Sequence, residues 1–296
     1  MSLRVDPNLT PDLLAAIELS DQQQNTAIQQ LASGRAVNSP SDNPAATAAF
    51  VASQAQSSQN DTFLQSINGL QGMYQTADST LSSAVQLMTR AISLGTEGAN
   101  GTLTASDRQS IANEMQGIIN QMVGIANTSY QGEYLFSGTA VHTASYAVNS
   151  SGAVVYQGNT NTNSAQILTN QSLQLNVPGS QIFSNSAGDV FGALSQMVTA
   201  LQSGTGIDAA NTAIQNAFQT LNQQRVFYGN ALDQLSSATT FLNNENVQLT
   251  QQQDNLVSID PAKAATDLNQ AEVQNQAVLA ATYKVLNNPT LFNYIA

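Results

Sequence analysis

Few residues in this sequence could carry catalytic or metal-binding chemistry. His142 is the only histidine and the chain has no cysteine, so a metal site built from nitrogen and sulfur ligands lacks its donors. Ser137 and Ser145 lie near His142, but no aspartate accompanies them to complete a Ser-His-Asp triad. We interpret His142 as a surface loop residue. We therefore expect no catalytic, cofactor-binding or metal-binding residues and no cofactor.

A short glycine motif and the acidic residues also fall short of known binding signatures. Gly204-Thr205-Gly206 lacks the third glycine of a dinucleotide-binding loop, because position 209 is Ala and no strand is predicted before it. The motif is typical of a turn between helices. The acidic residues are scattered singly, without the spacing of a calcium-binding loop. These patterns favour a non-enzymatic protein.

The composition is poor in charge and rich in side-chain amides. Charged residues make up 9% of the 296 residues, whereas an average soluble domain has about 25%. The chain contains 35 Gln and 30 Asn. Its net charge of −12 repels phosphate backbones and anionic lipid heads, so we expect neither nucleic acid nor membrane as a partner. Uncharged faces can pack side by side without desolvating ions.

Three stretches repeat apolar residues in alternating steps of three and four, the spacing of a coiled-coil helix. They cover residues 63–91, 105–129 and 214–256. The last is on the order of 65 Å long as a helix, so we predict a rod-shaped bundle. Seams of this kind usually form an internal core. The residues predicted to form this core seam are Phe63, Leu70, Leu81, Met88, Ile118, Met122, Leu221, Leu235, Leu242 and Leu249.

The heptad pattern stops between about residues 131 and 190, where Gly, Asn, Ser and Thr cluster. Short alternating segments there predict a small β-rich insertion of a few strands. Prolines at 44 and 261 mark further breaks. We divide the chain into a terminal helical pair (1–37 plus 262–296), a helical rod (38–130 plus 191–261) and a β-rich outer domain (131–190).

Capping signals mark three predicted helix starts. The candidate caps are Ser41 or Asp42, Thr104 or Ser106, and Asp260. At the N-terminus, Asp6 and Asp12 interrupt any long apolar stretch, so no cleavable secretory signal is predicted. No run of about 18 apolar residues predicts a membrane span.

The two terminal segments have nearly equal lengths, which suggests that they pair. Their apolar seams are poor, so folding would bury little apolar area. This small gain is set against the backbone entropy that is lost when the segments become ordered. We expect them to be disordered in the isolated subunit and to fold when neighbouring copies cover them. The residues predicted to mediate this assembly are Leu14, Ile17, Ile28, Leu31, Val278, Val285 and Phe292.

Several motifs resemble those of the bacterial flagellin family. The segment Gln30–Pro44 is similar to the family's N-terminal signature, and Asn100–Leu103 with Asp107–Gln109 resembles the entry to its second helix. Four further segments resemble the family members that form the junction between hook and filament. These are Gly132–Gly138, Tyr156–Asn159, Asn176–Phe183 and Leu291–Ile295.

The resemblance implies a mainly α, elongated flagellin-like coiled-coil bundle with paired terminal helices and a small β-rich insertion. It also implies an extracellular structural subunit, secreted by flagellar type III export without a cleavable signal. Its implied partners are copies of itself in a ring, hook-associated protein 1, flagellin and a flagellar export chaperone. The alternatives are a filament-forming flagellin and, in a different class, a protein that binds a surface glycan or peptide.

Overall fold

The computed structural model describes residues 9–286, and this part of the chain is mainly helical. Its helices are α1 (Leu9–Ser33), α2 (Pro44–Gly98), α3 (Ala105–Ala126), α4 (Gly179–Ile182), α5 (Val190–Ser203), α6 (Ile207–Val257) and α7 (Pro261–Leu286). Helices α2 and α6 have 55 and 51 residues, against a mean of about 11–12 in soluble proteins. The long helices predicted from the heptad spacing are confirmed. Between residues 9 and 286, no helix combines the length and apolarity that a membrane span requires.

The strands of the described residues form two-stranded antiparallel ribbons. The ribbons are β1 (Ser129–Tyr130) with β2 (Glu133–Tyr134), β3 (Tyr146–Val148) with β4 (Val154–Tyr156), β5 (Ser164–Leu168) with β6 (Gln171–Gln174), and β7 (Ser184–Asn185) with β8 (Gly188–Asp189). The register of the β5–β6 ribbon shifts between Gln166 and Leu168. The predicted small β-rich insertion is confirmed.

Helix α2 is capped by Asn43, the residue before the proline that begins the helix. The Asn43 side-chain oxygen accepts a hydrogen bond from the Ala46 N–H at 3.0 Å. The prediction of Ser41 or Asp42 as the cap is wrong. The Asp42 carboxylate is already used in the preceding turn, where it accepts two backbone N–H groups at 2.8 and 2.9 Å. Several adjacent polar residues could thus cap the helix. Asn43 does so because the hydrogen bonds of the preceding turn already use Asp42.

Helices α3 and α7 begin at predicted caps. Thr104, rather than Ser106, caps α3: its hydroxyl accepts from the Asp107 N–H, and the Asp107 carboxylate accepts from the Thr104 N–H. Hydrogen bonds from Thr104 hold the pKa of Asp107 below its ordinary value. At α7, Asp260 accepts from the Ala262 N–H at 2.9 Å. Each cap satisfies backbone donors that the first helical turn leaves without a partner.

The chain divides into two compact units, and both boundaries fall within helices α2 and α6. One unit consists of residues 59–244. In the other, the described residues are 9–58 and 245–286. The division into three domains stays a prediction.

The core of unit 59–244 joins the heptad residues of α2, α3 and α6 to the apolar face of α5. Its fully buried side chains include Ile67, Tyr74, Leu81, Met88, Leu94, Met115, Met122, Leu194, Met197, Ile214, Leu221 and Leu235. Helix α5 approaches α2 closely at Gly98, where a Cβ would overlap the Leu201 side chain of α5. The core therefore packs directly onto helix backbone there.

Two ion pairs connect helices of the same unit. Arg225 of α6 pairs with Asp78 of α2 at 3.1 Å, and Arg90 of α2 pairs with Glu114 of α3 at 2.6 Å. All four side chains are about one third to one half exposed. Water weakens such pairs, so apolar packing is the main stabilising contribution in this unit.

Candidate assembly site

Helices α1 and α7 lie against each other within one compact unit. Their neighbouring segments are joined by backbone hydrogen bonds, one from the Ala36 N–H to the Val257 oxygen at 2.7 Å and one from the Ile259 N–H to the Gly34 oxygen. Further along, the Asn275 amide donates to the Asp21 carboxylate at 2.6 Å. The structure therefore shows the pairing of the terminal segments that their similar lengths suggested.

The fully buried residues of the paired helices α1 and α7 are small. Ser20 and Ala27 are buried on α1, and Ala264 and Ala271 are buried on α7. Each buried methylene contributes only about 0.8 kcal/mol, so a contact built on alanine gains little from the hydrophobic effect. The pair is close but weakly stabilised by its own contact.

Large apolar side chains of this pair stay exposed although the two helices are in contact. Leu14 and Leu19 on α1 are 59% and 57% exposed, and Val273 on α7 is 66% exposed. Leu279 and Tyr283, further along α7, are also exposed. An amphipathic helix normally turns such residues inward. A set of outward-facing apolar residues marks a surface for association with another protein.

The predicted assembly residues divide into three groups in the structure. Leu14, Ile28 and Leu31 are exposed, whereas Ile17 and Val278 are half-buried. The side chain of Val285 and the whole of Phe292 lie outside the described residues. We propose that the exposed leucines and isoleucine, together with Leu19, Val273 and Leu279, form the surface that neighbouring subunits cover.

The predicted core-seam residues lie mostly in the interior of unit 59–244. Leu81, Met88, Ile118, Met122, Leu221, Leu235 and Leu242 are buried in one continuous cluster. Phe63 and Leu70 are partly buried and pack against that cluster. Leu249 is half-buried and belongs to the other unit, where its backbone oxygen accepts from the Ser53 hydroxyl at 3.4 Å.

An aromatic cluster in the insertion escaped prediction from the sequence. The Phe136 and Phe183 rings meet edge to face at 5.5 Å, and the Tyr146 ring lies 4.8 Å from that of Phe191. Tyr156 completes the cluster, 5.2 Å from Tyr146. The signal lay in the Gly132–Gly138 and Asn176–Phe183 motifs, which contain Phe136 and Phe183 but show no periodicity.

Buried tyrosines connect the insertion to the helices that carry it. The Tyr146 hydroxyl donates to the Gly179 oxygen at 2.8 Å and lies 3.0 Å from the Ser184 hydroxyl. On α2, the Tyr74 hydroxyl donates to the Gln174 oxygen at the end of β6, and its ring meets that of Tyr228 at 5.5 Å. Burial raises the pKa of Tyr74 to about 12 and raises the pKa of Tyr146 and of Tyr228 as well. These phenols stabilise the fold in their neutral form.

The residues considered for chemistry lie in a loop and in a turn between helices. His142 is exposed in the loop between β2 and β3. Gly204 and Gly206 adopt positive φ angles of 74° and 77° in the turn between α5 and α6, as a helix-connecting turn requires. Within residues 9–286, no group of three or more histidine, cysteine, aspartate or glutamate side chains could hold a metal ion. The candidate site is the exposed apolar surface of α1 and α7.

Comparison with protein families gives two matches that together span most of the chain. Residues 10–141 match the bacterial flagellin N-terminal helical region, and residues 211–295 match the bacterial flagellin C-terminal helical region. Both regions fall on the long helices, and the unmatched segment between them holds most of the insertion. The chain belongs to the bacterial flagellin family.

Individual relatives place the chain more narrowly. It is 25% identical over 287 residues to flagellar hook-associated protein 3 of Escherichia coli, covering 88% of each chain. It is 28% identical over 135 residues to flagellin A of Vibrio cholerae, covering 45% of this chain and 36% of flagellin A. The flagellar junction protein FlgL from Legionella pneumophila shares the fold, with a TM-score of 0.63 at 15% identity over 71% of this chain and 100% of that chain. The chain is a structural component of the bacterial flagellum, similar to hook-associated protein 3 over nearly its whole length.

Proposed function

We propose that this protein is a non-enzymatic adaptor that joins the hook, through hook-associated protein 1, to the flagellin filament. The observation that carries this proposal is the extent of the match. It covers 88% of hook-associated protein 3 from Escherichia coli, but only 36% of flagellin A from Vibrio cholerae. A junction adaptor therefore accounts for similarity that extends over nearly the whole chain, the insertion as well as the terminal helices.

In this proposal, copies of the chain form a ring through the exposed apolar residues of α1 and α7. Leu14 and Leu31 of one copy would be covered by neighbouring copies and by the two flanking proteins. Burying an exposed leucine contributes about 1.5–3 kcal/mol, so a few such residues in each subunit would stabilise a ring. The same surface would also allow a copy of the chain to add to a flagellum whose exposed end already presents matching helices.

The proposal includes export in an unfolded state through the flagellar type III channel. A flagellar export chaperone would bind the C-terminal helical segment, including α7, before export. The weak contact between α1 and α7 supports this order of events, because small buried residues hold the pair loosely until assembly covers the larger ones.

Immunogold labelling of sheared flagella tests the proposal. An adaptor gives a single band at the distal end of the hook, whereas a filament protein labels the whole length. Deletion of its gene should release filament monomers into the medium while hooks remain. Label along the filament, or loss of filament protein from the medium, would contradict the adaptor role.

The second candidate is a filament-forming flagellin, which the match to flagellin A over 135 residues favours. Purified protein separates the two functions in a polymerisation assay. An adaptor should stop at short assemblies at any concentration, whereas a flagellin forms long filaments when seeded. Growth of filaments from this protein alone would favour the flagellin.

A further inference from the structure

The turn between α2 and α3 contains an Asn-Gly pair, Asn100-Gly101, in an exposed position. The chain has one other Asn-Gly pair, Asn68-Gly69, which lies in the interior of α2. All four residues are exposed, so access to water does not distinguish the pairs. What differs is the backbone around each asparagine.

In the turn, two donors from one residue point at the asparagine side-chain oxygen. Asn100 Oδ1 accepts from the Thr102 N–H at 3.2 Å and from the Thr102 hydroxyl at 2.9 Å. The backbone oxygen of Asn100 accepts from the Leu103 N–H at 3.1 Å, which closes the turn. The side-chain carbonyl of Asn100 is therefore polarised by hydrogen bonds on its oxygen.

The nitrogen that follows Asn100 is free to react. Within the described part of the chain, no hydrogen bond uses the Gly101 N–H, since α2 ends at Gly98 and the turn is closed by Leu103. A Cβ at Gly101 would meet no atom within 4 Å, so nothing crowds this nitrogen. By contrast, helical geometry commits the Gly69 N–H to a hydrogen bond with the preceding turn of α2.

We infer that Asn100 is a site of spontaneous deamidation and that the native turn promotes the reaction. The Gly101 backbone nitrogen attacks Cγ of Asn100, and the negative charge that develops falls on Oδ1. The two Thr102 donors already lie on that oxygen, so they stabilise the charge without rearrangement.

The reaction needs only water as co-reactant. The new bond joins the Gly101 nitrogen to Asn100 Cγ, and the bond from Cγ to the side-chain amide nitrogen breaks. That nitrogen leaves as ammonia, with the proton that the Gly101 nitrogen gives up. Water then adds to either carbonyl of the cyclic imide. Ring opening gives aspartate or isoaspartate at position 100, with no change of oxidation state.

The product changes the turn in charge and in length. Either acid makes the net charge one unit more negative than −12. Isoaspartate also routes the main chain through the side-chain carbon, which lengthens the connection between α2 and α3 by one methylene. A subunit that remains in place after assembly would accumulate this change with age.

Peptide mapping by mass spectrometry tests the inference on the full chain. The native protein is incubated in neutral buffer, and the amide-to-acid mass change is followed at Asn100 and Asn68. We expect Asn100 to convert at least about tenfold faster, because Asn68 reacts only from a locally opened helix. The same incubation in urea should bring the two rates together.

Two outcomes would overturn the inference. Equal rates at Asn100 and Asn68 in the native protein would show that the turn gives no advantage. An equally large ratio in urea would assign the difference to the flanking residues and not to the fold.

Variants separate the two parts of the geometry. Thr102→Val removes the hydroxyl donor and should slow conversion of Asn100 by about fivefold, the value of one hydrogen bond, while Thr102→Ser keeps the hydroxyl and should retain the rate. Gly101→Ala places a methyl group beside the attacking nitrogen and should nearly abolish the reaction. The turn has room for this methyl group, because a Cβ at position 101 would meet no atom within 4 Å. Circular dichroism checks that each variant keeps its helices. An unchanged rate in Thr102→Val would refute the role of the hydrogen bond.

Discussion

Leu235 offers a direct test of the core of unit 59–244. Its side chain lies on α6, is fully buried, and belongs to the continuous apolar cluster. The substitution Leu235→Ala removes three carbon atoms from that cluster and leaves the helix intact, since alanine is the best helix former. The change therefore isolates packing from helix propensity.

The expected loss follows from burial and cavity formation. Replacing a buried leucine by alanine costs about 2–5 kcal/mol, depending on how far the surroundings relax. Long helices on several sides limit relaxation, so we expect a value of about 3 kcal/mol or more. Against a total stability of about 5–15 kcal/mol, this is a large loss. Leu235→Asp adds the cost of a buried charge and should prevent folding of this unit.

Urea unfolding monitored by tyrosine fluorescence provides the measurement. All tyrosines except Tyr283 and Tyr294 lie within residues 59–244, and the chain has no tryptophan, so the signal reports on the unit that contains Leu235. The matched control is Val226→Ala, on the same helix but 60% exposed. Its effect should stay within about 0.5 kcal/mol.

A second control keeps the volume of the side chain. Leu235→Met should cost less than about 1.5 kcal/mol because methionine fills a similar space. If Leu235→Ala unfolds at the same urea concentration as Val226→Ala, then Leu235 is not part of a packed seam, and the proposed core is incorrect.

Three further predictions concern pH, capping and assembly. Neutral Tyr74 stabilises the fold below pH 10, the ordinary phenol pKa, and that contribution is lost as the pH rises toward about 12; alkaline titration should show Tyr74→Phe unfolding at higher pH than wild type. Thr104→Ala removes the cap of α3 and should cost about 1 kcal/mol in urea unfolding, whereas Thr104→Ser should cost little. Amide exchange in dilute protein should show little protection across α1 and α7; strong protection of α1 would contradict folding on assembly.

The helical part of the fold could be predicted because its signal is periodic. Apolar residues at heptad spacing located α3, the central part of α2 and nearly all of α6, and the fold class is confirmed. Pro44 and the polar residues before it indicate the start of α2, but the heptad pattern does not reach that far, because residues 44–62 are mostly small or polar and form no regular apolar seam. In that stretch α2 contacts α6 through polar groups, such as the Ser53 hydroxyl, which donates to the Leu249 oxygen.

The aromatic cluster could not be predicted because its members are joined by non-local contacts. Phe136, Tyr146 and Phe183 lie ten to forty-seven positions apart and follow neither a period of two nor one of 3.6. Their proximity depends on how the short ribbons fold back, which is decided by turns and by bonds such as that from Tyr146 to Gly179. Periodic sequence patterns predict which residues share one face of a helix or strand. They do not predict how distant segments fold back against each other.

The assembly surface was predictable in composition but not in orientation. Leu14, Ile28 and Leu31 were recognised as apolar residues of a poor seam. Which of them face solvent depends on where the alanines of α7 meet α1, and Ala27 and Ala271 determine that contact. Leu19, Val273 and Leu279 therefore emerged only from the structure.

The two ion pairs between helices of unit 59–244 bear on the environments in which the protein can work. Among the described side chains of unit 59–244, the pairs Arg90–Glu114 and Arg225–Asp78 offer dissolved salt little to screen. Salt acts mainly on the net charge of −12, whose self-repulsion it weakens. Brine and fresh water should therefore leave the fold nearly equally stable, with a slight gain in brine, which suits a part exposed to whatever medium the bacterium swims in.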